Sequence, residues 1–319
     1  MRFFSIIFII SALFLHCSND RNYNKISVLY SKHNSYYDKE LKNSIQEWKF
    51  DNNYSLTIDE LNYDSLSDIK EKIINNKSGI IIAETDNSEL TKKLYSFSRH
   101  HHIILNLIAN STNHKYNNLF ITDYKELGNK IAFNLYDLSR SRRNIFILYL
   151  NNNYIESYYK KELIKGFIEF CHSKQISIIT NTYTKDINKD KIKIELRKWI
   201  TIYNNNIRGI FTENESIAIM LMELIRRAGK DGEIKIASFG ATIDGINSML
   251  KIGLAVTGDI YRLKLFRNAL EYSKTNKLYI KRQRKIFFIK GIIYNQTILL
   301  DRLSKSKKYS IQQLIAGDK

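Results

Sequence analysis

The feature that most constrains this chain is a rhythm. Between about residues 25 and 300, short apolar runs alternate with stretches whose apolar residues recur every three or four positions. "KISVLYS", with Ile26, Val28 and Tyr30 alternating, reads as a strand, and residues 38 to 50, with Leu41, Ile45 and Trp48 at helical spacing, read as an amphipathic helix. "YSLTIDEL", "SGIIIAET", "HIILNLI" and "NNLFITD" read as further strands. Between them, "SLSDIKEKIINN" and "SELTKKLYSFSRH" read as helices, and the first has Ser65 as its cap and Asp68 at capping-box spacing. The second half repeats the pattern from "DYKELGNKIAFNLYDLS" to "KIFFIKGIIYN" and "ILLDRL". Crossovers of this length suit right-handed parallel units, so the fold class is α/β: two doubly wound parallel-sheet lobes. The change of rhythm near 123 to 128 places one lobe at 25–125 plus 258–285 and the other at 126–257 plus 286–319. The chain has no proline, and no glycine-rich linker separates the halves, so it crosses between lobes inside ordered segments. A ligand of such a fold is expected at the carboxyl ends of the strands, in the cleft between lobes.

The first residues speak to compartment. "MRFFSIIFIISALFLHC" has one basic residue, Arg2, then an uncharged run from Phe3 to Leu15, then Cys17. That run is shorter than the roughly 20 residues a spanning helix needs and fits the apolar region of an export signal. "LFLHC" is a loose lipobox, so residues 1–16 are expected to be a signal peptide, Cys17 the lipidated residue and 17–24 a tether. The expected location is exported and membrane-anchored, facing the periplasm or the cell surface. Only Cys171 then remains of the two cysteines, which leaves no disulfide framework, and its helical setting reads as core.

The formal net charge is 50 − 32 = +18. The lysines are dispersed among asparagines and isoleucines rather than gathered in a basic segment, and an export signal argues against a nucleic-acid partner. The spacing Gly240 to Gly245, glycine-four-glycine, opens like a phosphate loop. Ile246 and Asn247 follow where lysine and a hydroxyl residue are required, which excludes one. His100, His101 and His102 are consecutive at a helix-to-strand junction and do not converge as metal ligands must. No nucleophile elbow, zinc-protease helix or paired-carboxylate pattern is present, so no enzyme, cofactor or metal is expected.

The loops after the strands carry more. "SKHNSYYD" places Ser31, Asn34, Tyr36 and Tyr37 after the first strand, with the hydroxyl, amide and aromatic groups that suit a small polar ligand such as a sugar. The segment from "IRGIFTENESIAIM" to "GLAVTGD" resembles the C-terminal half of the type I periplasmic binding proteins, the ribose/galactose-binding and LacI-like sugar-binding family. Asn214, Glu215 and Ala218 fill its Asn-Asp-x-x-Ala pattern, Gly229 follows the helix, and Phe239 fills Gly-Phe-Asp. Ile246, Leu250, Gly253, Leu254 and Thr257 approximate the next segment. "FITDYKELG" keeps Asp123 and Gly128 of the family's lobe crossing, and "KKELIKGF" keeps Gly166 and Phe167. The resemblance covers about residues 25 to 300 and implies ligand contacts at Ser31, Asn34, Tyr36, Tyr37, Asn106, Lys161, Asn214, Phe239 and Gly240. Gly240 stands where the family carries a ligand-clamping aspartate, Asn106 near the place of an Asp-Arg pair, and Lys161 near that of an arginine. These departures imply a ligand other than plain ribose or galactose. The expected function is a solute-binding lipoprotein of an ABC-type import or sensing system. It would close two lobes over a small polar, sugar-like ligand and present itself to a permease or membrane sensor. The alternative is a non-transport lipoprotein of the same fold, a sensor regulator or surface adhesin with a degenerate site.

Overall fold

The structure is a computed structural model that describes residues 22–32, 35–112, 118–139, 146–152, 158–183, 189–203, 206–251, 253–259, 262–275, 285–295 and 297. Two compact units divide the chain: Met1–Ile121 with Leu263–Phe287, and Thr122–Arg262 with Phe288–Lys319.

The first unit contains β1 (Asn22–Tyr30), α1 (Ser35–Asn52), β2 (Ser55–Glu60), α2 (Leu66–Asn75), β3 (Ser78–Glu84), α3 (Ser88–His100), β4 (Ile104–Ile108) and β5 (Asn118–Thr122), and it takes α9 (Arg262–Thr275) and β11 (Lys285–Ile289) from late in the chain. Its sheet runs β11-β5-β4-β3-β1-β2, with β2, β1, β3, β4 and β5 parallel. Central strands such as β3 are buried along their whole length, as helices on both faces require, so "SGIIIAE" reads as a continuous apolar run rather than an alternating one. Leu29, Ile81, Leu94, Phe97 and Leu107 belong to its core.

The second unit repeats the plan with α4 (Tyr124–Ser139), β6 (Phe146–Asn152), α5 (Tyr158–Ser173), β7 (Ser177–Tyr183), α6 (Lys189–Ile202), β8 (Ile207–Thr212), α7 (Glu215–Arg227), β9 (Lys235–Phe239), α8 (Ile243–Lys251), β10 (Val256–Asp259) and β12 (Ile292–Asn295). Its sheet order is β12-β10-β9-β8-β6-β7, parallel except for antiparallel β12. In both units the strand order reverses beside the first strand, between β1 and β3 and between β6 and β8. In open parallel sheets that switch point is where a ligand crevice forms, outside the carboxyl ends of the strands.

Three details differ from the sequence-based expectation. β10 pairs with β9 and β12, so Gly258 and Asp259 belong to the second unit and the chain leaves that unit after Arg262, not after residue 257. Helix α1 begins at Ser35, which draws Tyr36 and Tyr37 out of the loop and into its first turn. Ser65 is not a side-chain cap for α2: its backbone is already helical, its N–H donates to Asn62 Oδ1 at 2.7 Å, and its hydroxyl donates to the Glu60 carbonyl. Asp123 does cap, accepting the Glu126 N–H at 2.9 Å at the start of α4.

Candidate functional site

At the first unit's switch point, the residue after β1 is tied to the end of β3. The Ser31 N–H donates to Glu84 Oε2 at 3.0 Å and the Ser31 hydroxyl to the Glu84 carbonyl at 2.7 Å. Next to it, Asp86 accepts the backbone and amide N–H groups of Asn110, both at 2.6 Å, which links the loops after β3 and β4. Asn87 caps α3 through Glu89 N and Leu90 N. The carboxyl ends of β1, β3 and β4 thus present a hydroxyl, two carboxylates and two amides held by each other, a polar rim on an otherwise apolar sheet.

At the second unit's switch point, Lys160 from the first turn of α5 forms a 2.8 Å ion pair with Glu213, which follows β8; both are buried. Asn214 caps α7, its side chain accepting from Ile217 N at 3.3 Å. Glu215, 6 % exposed, turns its carboxylate under the β9–α8 turn. There it accepts the Thr242 N–H at 2.7 Å, the Thr242 hydroxyl, and the Thr257 hydroxyl at 2.7 Å. This explains the glycine pair. A Cβ at Gly245 would lie 2.0 Å from the Glu215 carboxyl carbon, whereas one at Gly240 would make ordinary contact, 3.4 Å from its Oε2. Gly240 also has φ +143°, where a side chain is strained. The loop that looks like a phosphate cradle holds the protein's own carboxylate at the start of a helix, where an anion is favoured. Beside it, Tyr124, Tyr159 and Phe239 form an aromatic group with ring centroids 5.5 to 6.2 Å apart.

Glu215→Ala is expected to cost about 3 kcal/mol, because three donors lose a buried charged acceptor. Urea unfolding measures it, and Glu215→Gln should fall between the two. A loss below about 1 kcal/mol for the alanine variant would contradict this account of the glycine pair.

No protein-family profile matches the chain, and no curated protein matches it. Solved structures do. An ABC transporter periplasmic solute-binding protein from Actinobacillus succinogenes, with bound D-allose, superposes with TM-score 0.62 at 16% identity, covering 87% of this chain and 99% of its own. A periplasmic ribose ABC transporter protein from Conexibacter woesei superposes with TM-score 0.67 at 12% identity, covering 88% and 95%. This is the type I periplasmic-binding-protein fold. A putative LacI transcriptional regulator from Bacteroides fragilis shares the fold at TM-score 0.58 and 12% identity, covering 87% and 98%, so the periplasmic-binding-protein fold alone does not fix the activity.

Within this fold, the residues singled out from sequence fall into three groups. Ser31, Asn214, Phe239 and Gly240 stand at carboxyl ends of strands of their own units: Ser31 follows β1, Asn214 caps the helix after β8, Phe239 ends β9 and Gly240 opens the turn. Tyr36 and Tyr37 lie in the first turn of α1, and Asn34 and Cys17 lie outside the described residues. Asn106 and Lys161 have settings that the sequence did not reveal. Asn106 is inside β4, two residues before its end, and fully buried. It donates to Ser273 Oγ at 2.7 Å and accepts from Asn118 Nδ2 at 2.9 Å, so it serves the first unit's interior. Lys161 is on the exposed side of α5, and its neighbour Lys160 is the one that reaches Glu213. Sequence reading gave no role to Lys160, Glu213, Glu84 or Asp86. The spacing Lys160, Leu163, Phe167, Phe170 was the available signal, since it puts Lys160 on the buried face of α5. Cys171 is buried in that helix, and burial pushes its thiol up to about 12, far from nucleophilic. His102 ends the α3 junction in a left-handed conformation, and the described residues contain no group of three His, Cys, Asp or Glu that would hold a metal.

Proposed function

We propose that the chain is an exported solute-binding protein of an ABC-type import or sensing system that closes over a small polar, sugar-like ligand. It would be anchored through Cys17 and present its ligand-bound form to a permease or membrane sensor. The observation that carries the reading is the polar rim at both switch points: Ser31, Glu84 and Asp86 in one unit, Lys160, Glu213 and Asn214 in the other, with Tyr159 and Phe239 offering half-buried ring faces. Hydroxyl-rich ligands pair with such mixed acceptors and donors and stack on aromatic faces. Because Lys160 and Glu213 neutralise each other, the second unit's rim brings no net charge to a ligand, which suits a neutral one better than an anion. Proteins of the same fold are described with D-allose bound and as an arabinose-binding transporter component, which supports a sugar and a binding role rather than catalysis.

The test is thermal unfolding against a panel of neutral monosaccharides, followed by calorimetry. A ligand at about 100 times its Kd should stabilise the protein by about 2.7 kcal/mol. Asn214→Ser, which keeps a helix cap but removes the amide, should then lower affinity about tenfold or more with little change in stability. Unchanged affinity would sink the assignment of Asn214 to the ligand.

A second reading has one observation in its favour. Both oxygens of Glu215 are held by internal donors and Lys160 is spent on Glu213, as in a site that no longer binds. The protein would then be a sensor regulator or surface adhesin. A blank ligand screen with salt-sensitive binding to polyanions favours it.

A further inference from the structure

Helix α6 and the residue after it turn Leu196, Trp199 and Tyr203 towards the core of the second unit. The opposite side carries Lys191, Ile194, Arg197, Lys198 and Ile202, all exposed. Ile194 is 63% and Ile202 59% exposed. The spacing Lys191, Ile194, Lys198, Ile202 keeps these four on one face of the helix. The helix has five basic residues (189, 191, 193, 197 and 198) against two acidic ones (190 and 195), a net of 5 − 2 = +3. Among the described residues, Lys191, Lys193, Arg197 and Lys198 have no ion-pair partner, whereas Lys72, Lys93, Lys125 and Lys130 on other helices each hold a carboxylate.

Unpaired cations interleaved with solvated isoleucines make a specific demand. A soluble polyanion answers the cations and leaves the isoleucines in water, and an apolar protein surface does the reverse. An anionic bilayer answers both, with headgroup phosphates for the basic groups and the acyl boundary for the aliphatic ones. We propose that α6 is a membrane-surface contact, laying the second unit against an anionic phospholipid bilayer. The proposal stands whether or not the polar rim binds a solute.

The test is flotation of the full chain with vesicles of phosphatidylcholine alone or with about one-third phosphatidylglycerol, combined with hydrogen exchange over residues 190–202. Every form carries Cys17→Ser, so that no lipid on the expected anchor floats the chain by itself, and exchange in residues 190–202 reports on α6 directly. The wild type should float with the anionic vesicles, with exchange in α6 slowed. Lys191→Glu with Lys198→Glu should lower the bound fraction about tenfold or more. Ile194→Ser with Ile202→Ser should weaken binding most at raised salt, where screening leaves the apolar contact dominant. Both double variants change only exposed side chains and should unfold at the wild-type midpoint. Flotation of the charge-reversed variant at wild-type level overturns the proposal. So does equal binding of wild type and serine variant to both vesicles and soluble heparin, which would make the surface a polyanion site instead.

Discussion

Gly166→Ala is expected to destabilise the second unit by about 3 kcal/mol or more, the upper range of overpacking costs. The reason is a backbone-to-backbone crossing of α4 and α5. A Cβ at Gly166 would lie 1.9 Å from the carbonyl oxygen of Lys125, and one at Gly128 would lie 1.9 Å from that of Leu163. Neither obstacle is a side chain that can swing away, so the helices must separate. Separation would disturb Phe167, stacked on Phe211 at 4.2 Å beneath the crossing, and the Lys125–Glu169 ion pair that flanks it. Gly128 and Gly166 are therefore packing residues. Urea unfolding should show a lower midpoint for Gly166→Ala and for Gly128→Ala. Gly232→Ala is the control, because a Cβ there meets nothing within 4 Å. A Gly166→Ala midpoint within about 0.5 kcal/mol of wild type would contradict the crossing.

Lys160→Met is expected to cost about 3–5 kcal/mol, because it removes a buried cation 2.8 Å from the Glu213 carboxylate. Desolvation makes the pair itself a weak source of stability, so removing both charges should recover most of the loss: Lys160→Met with Glu213→Leu should unfold near the wild type. Ligand binding separates structure from function in that double variant. If the pair belongs to a solute site, affinity stays low after stability returns; if it only supports the fold, affinity returns with stability. A single variant within about 1 kcal/mol of wild type would mean that the pair is not buried in solution.

The alternation of strands and helices was readable because its signals are local. "SGIIIAE" and "IRGIFT" are buried along their whole length because both faces of a parallel sheet are covered, so their apolar residues run together rather than alternate, and α3 and α7 carry apolar residues at helical spacing. What escaped the sequence depends on distant partners or on helical phase. Asn106 looked like a strand-end residue; its partners Asn118 and Ser273 lie 12 and 167 residues away, so nothing near it revealed an interior network. Lys160 and Lys161 are neighbours with opposite fates, decided by one step of helix rotation. Gly240 and Gly245 were seen as a spacing without an anion, because the carboxylate they accommodate comes from Glu215, 27 residues before Thr242. Ser65 showed a capping-box spacing, but a backbone already in the helical region cannot aim its hydroxyl at the first turn.

The proposed function rests on this chain binding a solute. Mass spectrometry of the full chain, purified from its native host without added ligand and then denatured, tests it most directly. The expected result is release of a neutral, hydroxyl-rich small molecule at about one per chain, one that rebinds the emptied protein in calorimetry. Protein that releases nothing and gives no heat with any neutral monosaccharide of the panel would contradict it.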